Sequence, residues 1–229
     1  MSAVAGARRQ FGSGPLSRVA ALVYTLMVVQ VLLLASALPG LVPVLFLEQD
    51  ASNAPLVALC ALPLGPAVSA ALYALRHRSR DITELYPARA FWRGYRANLR
   101  GVLLVWVPWL AWMTILGINL GNFAGAGVPG WWAALLGAVA VLAALWLANA
   151  LVITSLFAFR AVDVARLAVY FLAATPGVTL GNAGLLLIAA GVTAYASEGV
   201  LALLGAAFLV VLLRNAGPMI TRVEKEFTA

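Results

Sequence analysis

The chain's one histidine, His77, precedes Asp81 by four positions and Glu84 by seven, a spacing that could imitate a cation site made of an imidazole and two carboxylates. The same segment carries Arg76, Arg78, Arg80 and Arg89, and exposed carboxylates among so many guanidinium groups make a poor site for a cation. His77 is therefore read as a surface residue at the end of an apolar run. Cys60 has no partner in the chain, so neither an intrachain disulfide nor a cysteine-based metal cluster can form. A phosphate-cradling Gly-rich loop ending in Lys-Ser or Lys-Thr is also missing, which excludes an ATPase. The expectation is a protein that is not an enzyme, with no catalytic, cofactor-binding or metal-binding residues.

What remains is a small set of polar residues inside apolar runs: Gln30, Thr114, Asn119, Asn149, Thr154, Asn182 and Thr193. In a membrane such side chains ordinarily hydrogen-bond between helices, for about 0.6–2 kcal/mol each. Asn119, Asn149 and Asn182 are the candidates for pore-lining or packing roles. None of the seven is an acid or a base, so coupling to protons has no evident carrier.

The elements that hold these residues are set by composition. Of the 229 residues 64% are hydrophobic and 10% charged, and the mean hydropathy is +0.99. A soluble surface cannot be built from such a chain. A hydrocarbon core roughly 30 Å thick takes about 20 helical residues to cross, which leaves room for about six spans and no separate catalytic domain. Apolar runs place them at about 19–40, 55–75, 101–120, 131–159, 177–196 and 199–220 within one membrane domain, 1–229. The spans must be helices, because lipid offers backbone groups no partner and the runs lack the alternation of barrel strands. The first run extends from Val19 to Leu47, and its helix is expected to break near Pro39-Gly40. Arg8 and Arg9 ahead of this run resemble a secretory signal, but the run is too long for one and is read as a retained span. No internal repeat is evident.

All 15 basic residues fall on one side of a six-span arrangement: the N-terminus, the second loop, the fourth loop and the C-terminal end. The other side receives Glu48, Asp50 and Glu198. The positive-inside rule then predicts both termini in the cytoplasm, an N-in/C-in topology. The net charge of +7 is thereby explained by topology and by attraction to anionic headgroups, without nucleic acid. Two further helices are expected at the interface. One is 160–175, with Asp163, Arg166 and Tyr170 on one face. The other is 87–100, where Arg89, Arg93, Arg96 and Arg100 recur at i, i+4, i+7 and i+11 beside Phe91, Trp92, Tyr95 and Leu99. Residues Arg89, Phe91, Trp92, Arg93, Tyr95, Arg96 and Arg100 are the candidates for docking lipid or a cytoplasmic partner.

The blocks Leu64-Gly65-Pro66-Ala67, Ala70-Ala71-Leu72-Tyr73 and Phe91-Trp92-Arg93-Gly94-Tyr95-Arg96-Ala97-Asn98 resemble the YesL-type family of small bacterial membrane proteins of undefined function. The spacing of apolar runs extends the resemblance over roughly Phe11 to Phe227. The resemblance implies a setting beside carbohydrate uptake systems of the ABC type, with permease or ATPase subunits as partners, and no mechanism. The same blocks have a packing reading: Gly65-Pro66 can kink a span, and Ala67, Ala70 and Ala71 let helices approach closely. The functional expectation is a membrane accessory or regulatory protein of a solute uptake system. The alternative is an autonomous transporter or channel, told apart by a polar cavity that reaches the bilayer midplane. An intramembrane enzyme would need a buried cluster of acid, histidine or metal. Faces of small residues are compatible with homo-oligomers as well as with hetero-assembly.

Overall fold

The computed structural model describes residues 15–47, 50–78 and 86–227, and every regular element among them is a helix. Arg8, Arg9, Glu48, Arg80, Asp81 and Glu84 lie outside the described residues. Five helices or helix pairs are long and apolar enough to cross a membrane, and a sixth crossing is reached if a bent pair near the C-terminus counts as one.

The first helix, α1, runs Pro15–Val44 and contains both Pro39 and Pro43. The break expected at Pro39-Gly40 does not occur. Gly40 is seated on the backbone carbonyl of Cys60, so the neighbouring segment grips the helix at the point where proline weakens it. The second crossing is two helices, α2 (Ala54–Cys60) and α3 (Leu64–Arg76). Pro63 and Pro66 withhold two backbone donors, and a turn over 61–63 interrupts the ladder. The indole of Trp106 donates to the Ala61 carbonyl at 3.0 Å and satisfies it within the break. Ahead of α2, hydrogen bonds from Ser52, side chain first and backbone N–H second, hold the Asp50 carboxyl below its usual range.

Helix α4 spans Pro87–Gly121 without interruption. It joins the segment read as an interfacial helix over 87–100 to the third span. Its 35 residues measure about 52 Å, so about 20 Å must stand outside a 30 Å hydrocarbon core. Polarity changes near Gly101, where the lipid would end, and helix-forming tendency does not. Helix α5 is Trp131–Leu156, opened by the stacked and exposed indoles of Trp131 and Trp132, as in an interfacial aromatic belt.

Helix α6, Ala161–Ala174, has 14 residues and at about 21 Å is too short to cross. It turns Val164, Ala168 and Phe171 inward at i, i+4 and i+7 and leaves Asp163, Arg166 and Tyr170 on the outer side. Helix α7 is Pro176–Tyr195 and shows much of its apolar surface, including Leu180, Leu187 and Ile188, to the surroundings. The last run is broken: α8 (Glu198–Leu203), α9 (Gly205–Asn215) and α10 (Gly217–Glu226), with α9 and α10 bent by 53°.

Helix α3 is the centre of the bundle, packed against α1, α4, α5 and α9. Gly65, Ala67, Ser69, Ala70, Ala71 and Ala74 are all buried on it. Without a hydrophobic drive between helices in lipid, association depends on close van der Waals contact, which short side chains permit on several faces at once. Larger residues on the partners fill the space: Phe91 and Val102 from α4, Val152 and Ile153 from α5.

One brace belongs to the lipid-embedded part. At the Leu204 break, Gln30 of α1 donates from Nε2 to the Ala202 carbonyl at 2.7 Å and accepts the Ala206 N–H on Oε1 at 2.7 Å. One amide thus supplies both partners that the broken helix lacks. Gln30→Leu is expected to lower the unfolding midpoint in detergent by an amount worth about 1–2 kcal/mol, and an unchanged midpoint would show that the break needs no brace.

Candidate functional site

The arginine-bearing turns of α4 are held to the bundle by the face opposite the charges. Phe91 is fully buried, and Gly94 lies so close to α3 that a Cβ there would sit 2.6 Å from the Cβ of Tyr73. Tyr73 in turn stacks on His77, ring centroids 4.1 Å apart, and the imidazole Nδ1 lies 3.0 Å from the Tyr73 carbonyl. These two contacts hold the imidazole against the end of α3. Among the described residues, no three His, Cys, Asp or Glu side chains gather at metal-binding distance.

Arg89, Arg93, Arg96 and Arg100 are exposed, and Trp92 beside them is 46% exposed. Arg89 lies over the Tyr86 ring with its guanidinium carbon 5.2 Å from the centroid, a cation–π contact. Trp92 and Tyr95 pack at 5.6 Å. Of the docking candidates, Phe91 faces the protein interior; a helical wheel groups it with Trp92 and Tyr95 but cannot tell which aromatic meets a neighbouring helix. Below the arginines, Leu99, Leu103, Leu104, Val107 and Pro108 continue the face of α4 that carries Arg96 and Arg100 as an open, largely apolar surface. Two cations thus stand at the edge of an apolar face on one continuous helix.

The asparagine candidates separate. Asn119 is exposed and donates to Ile115 of its own helix at 2.8 Å. Asn149 and Asn182 are buried and meet: Asn182 Nδ2 donates to Asn149 Oδ1 at 3.2 Å. A third residue, Asn215, extends the chain by donating to Asn182 Oδ1 at 2.8 Å and to the Val178 carbonyl at 2.8 Å. Asn149 also donates to the Ala168 carbonyl of α6 at 3.4 Å. The ladder joins α5, α6, α7 and α9. Gly181 makes room for it, since a Cβ at that position would fall on the Asn215 amide.

Asn215 is not among the asparagines that hydropathy singles out, yet the sequence holds a signal for it. Leu147-Ala148-Asn149-Ala150, Leu180-Gly181-Asn182-Ala183 and Leu213-Arg214-Asn215-Ala216 are one pattern, Leu-x-Asn-Ala, whose asparagines are separated by 33 residues each time. This is a four-residue pattern and not a repeat of whole helices, and its three asparagines meet in space.

A second polar cluster lies where α3, α4 and α5 meet. Asn98 donates to the Ser155 carbonyl at 2.9 Å and to Ser69 Oγ at 3.3 Å, and Ser155 Oγ lies 2.9 Å from Ser69 Oγ. Next to it, the buried Thr154 Oγ1 has no hydrogen-bond partner among the described residues. Thr154→Val keeps the shape and removes the unsatisfied hydroxyl, so it is expected to raise stability by about 1 kcal/mol, read as a higher unfolding midpoint. A lower midpoint would mean that the hydroxyl has a partner in the membrane. Both clusters sit toward the helix ends that carry Arg76, Arg160 and Arg214, away from the middle of the spans.

A helical bundle with five or six crossings, sealed by small-residue packing and by amides bonded between helices, defines a multi-pass membrane protein. A family model described as "Protein of unknown function, DUF624", a YesL-like family, matches residues 21–120, which is less than half of the chain. That stretch takes in the Gly65-Pro66 and Phe91-to-Asn98 blocks, and the two polar clusters show its limit: Ser69 and Asn98 lie within it, the asparagine ladder beyond it. No curated protein and no solved structure matches the chain.

Proposed function

We propose that this protein is a non-enzymatic accessory or regulatory subunit of a solute uptake system in the bacterial plasma membrane, with both termini in the cytoplasm. Its proposed partners are permease or ATPase subunits of the ABC type, and carbohydrate is the solute class that the family resemblance suggests. The observation that carries the reading is the single continuous helix α4, which presents an exposed arginine row and, next along it, an open apolar face. A partner with an acidic cytoplasmic segment leading into a membrane helix would be met by both at once. Burial of Phe91 and Gly94 fixes that surface to the bundle, so binding would order little else. The spans' buried asparagines point the same way, being bonded to each other rather than to open space.

Replacing Arg89, Arg93 and Arg96 together by glutamate tests it. Recovery of the partner subunits with the tagged protein is expected to fall at least about tenfold, as reversed rim charges and like-charge contact would require, while membrane insertion is unchanged. Full recovery of the partners would remove the docking surface from α4.

A further inference from the structure

A second basic site lies where α3 and α9 meet. Arg76 at the end of α3, Arg78 two residues beyond it and Arg214 near the end of α9 converge on a cavity of about 310 Å³, whose remaining walls are Leu75, Val210, Leu213 and Gly217. These residues come from the two places where apolar helices give way to arginine, which is the level of the lipid headgroups. The lining is mixed, three arginines beside leucine and valine. Guanidinium groups present paired N–H donors that fit phosphate oxygens in a two-point grip, and an apolar wall beside them fits the glycerol and first acyl carbons attached to such a phosphate. The volume is at the lower end for small-molecule sites, enough for a headgroup.

We propose that this cavity binds the phosphodiester of an anionic phospholipid, with Arg76, Arg78 and Arg214 around the phosphate and Leu75, Val210 and Leu213 along the start of the chains. An internal anion already marks the preference of the site: Glu224 of α10 pairs with Arg76 at 3.2 Å, both side chains being about half exposed. The carboxylate occupies one edge of the cluster and competes with an incoming phosphate. Through Gly217 the cavity also touches the bend between α9 and α10, so an occupied site would hold the two helices at that angle. A free phosphate ion offers the same oxygens without the acyl chains, and the two sources are separable by experiment.

The test uses the full chain purified in a neutral detergent. Thermal unfolding and native mass spectrometry are followed while phosphatidylglycerol, phosphatidylcholine or inorganic phosphate is added. Phosphatidylglycerol is expected to raise the unfolding midpoint and to remain bound, and phosphatidylcholine to do neither. Arg76→Ala and Arg214→Ala should each weaken the phosphatidylglycerol effect about fivefold, the factor for one basic residue near an anionic surface. Glu224→Gln removes the competing carboxylate and should strengthen it. Arg166→Ala and Lys225→Ala, cations outside the cavity, should leave it unchanged. Equal retention of the two lipids, or losses in the Arg166 and Lys225 variants as large as in the Arg76 and Arg214 variants, would overturn the site. Inorganic phosphate stabilising as strongly as phosphatidylglycerol would overturn the lipid as its occupant.

Discussion

Gly40→Ala is expected to destabilise the bundle by about 4 kcal/mol, beyond the usual 1–3 kcal/mol of an overpacked core, because the atom it meets cannot rotate away. A Cβ at this position falls on the carbonyl oxygen of Cys60 and within 2.9 Å of Pro63 Cγ. Both belong to the junction of α2 and α3, where the backbone is already interrupted and the Ala61 carbonyl is held by Trp106. Relief would require α1 to move off that junction as a unit, opening the contact between α1 and α3 along its length. Gly117→Ala is the matched control: nothing lies within 4 Å of its Cβ position, and alanine favours a helix over glycine by about 1 kcal/mol. Unfolding midpoints in mild detergent should therefore fall sharply for the first and hold or rise for the second. Equal midpoints would mean that α1 does not cross the junction as closely as described.

Asn182→Leu is expected to cost about 3 kcal/mol, from the hydrogen bonds lost and the bulk added to a filled site. Asn182 is the middle rung of the ladder, donor to Asn149 and acceptor from Asn215. Leucine there leaves the Asn149 carbonyl oxygen buried without its donor and releases α7 from α5 and α9 together. Asn119→Leu, on an exposed side chain bonded only within its own helix, should change stability by less than about 0.5 kcal/mol. A double-mutant cycle between Asn149→Ala and Asn182→Ala measures the coupling directly and should exceed about 0.5 kcal/mol. Additive losses would reduce the ladder to coincident neighbours.

These contrasts show what the sequence made legible. Apolar runs marked the stretches that form long apolar helices, five of them or six if the bent pair near the C-terminus counts as one, because the length of a lipid-spanning helix is set by the bilayer and not by tertiary detail. The helix ends were harder. Hydropathy marks where lipid stops, so the change near Gly101 reads as an element boundary although α4 passes through it intact. Pro39 reads as a stop for a different reason, a rule of soluble helices that contact between Gly40 and Cys60 overrides. The break at Leu204 is invisible locally, and the amide that bridges it, Gln30, lies more than 170 positions earlier. Asn215 stands next to an arginine at the edge of a span and passes for interfacial, while its kinship with Asn149 and Asn182 lies in a four-residue pattern repeated at a constant interval. The glycine and alanine blocks of the family resemblance acquire a physical role in the packing. A Cβ at Gly65 would lie 2.5 Å from the Trp106 indole and one at Gly94 would meet Tyr73, so a side chain at either place would part α3 from α4.

The proposed role stands or falls on what the protein holds in its own membrane. The direct measurement is recovery of the tagged full chain from its native membrane in mild detergent after gentle crosslinking, with the co-purifying membrane proteins quantified for the wild type and for the Arg89, Arg93 and Arg96 charge reversal. The account predicts permease or ATPase subunits of the ABC type in stoichiometric amounts with the wild type and their loss with the reversal. The protein recovered alone, and moving solute by itself when reconstituted in liposomes, would contradict it and establish an autonomous transporter.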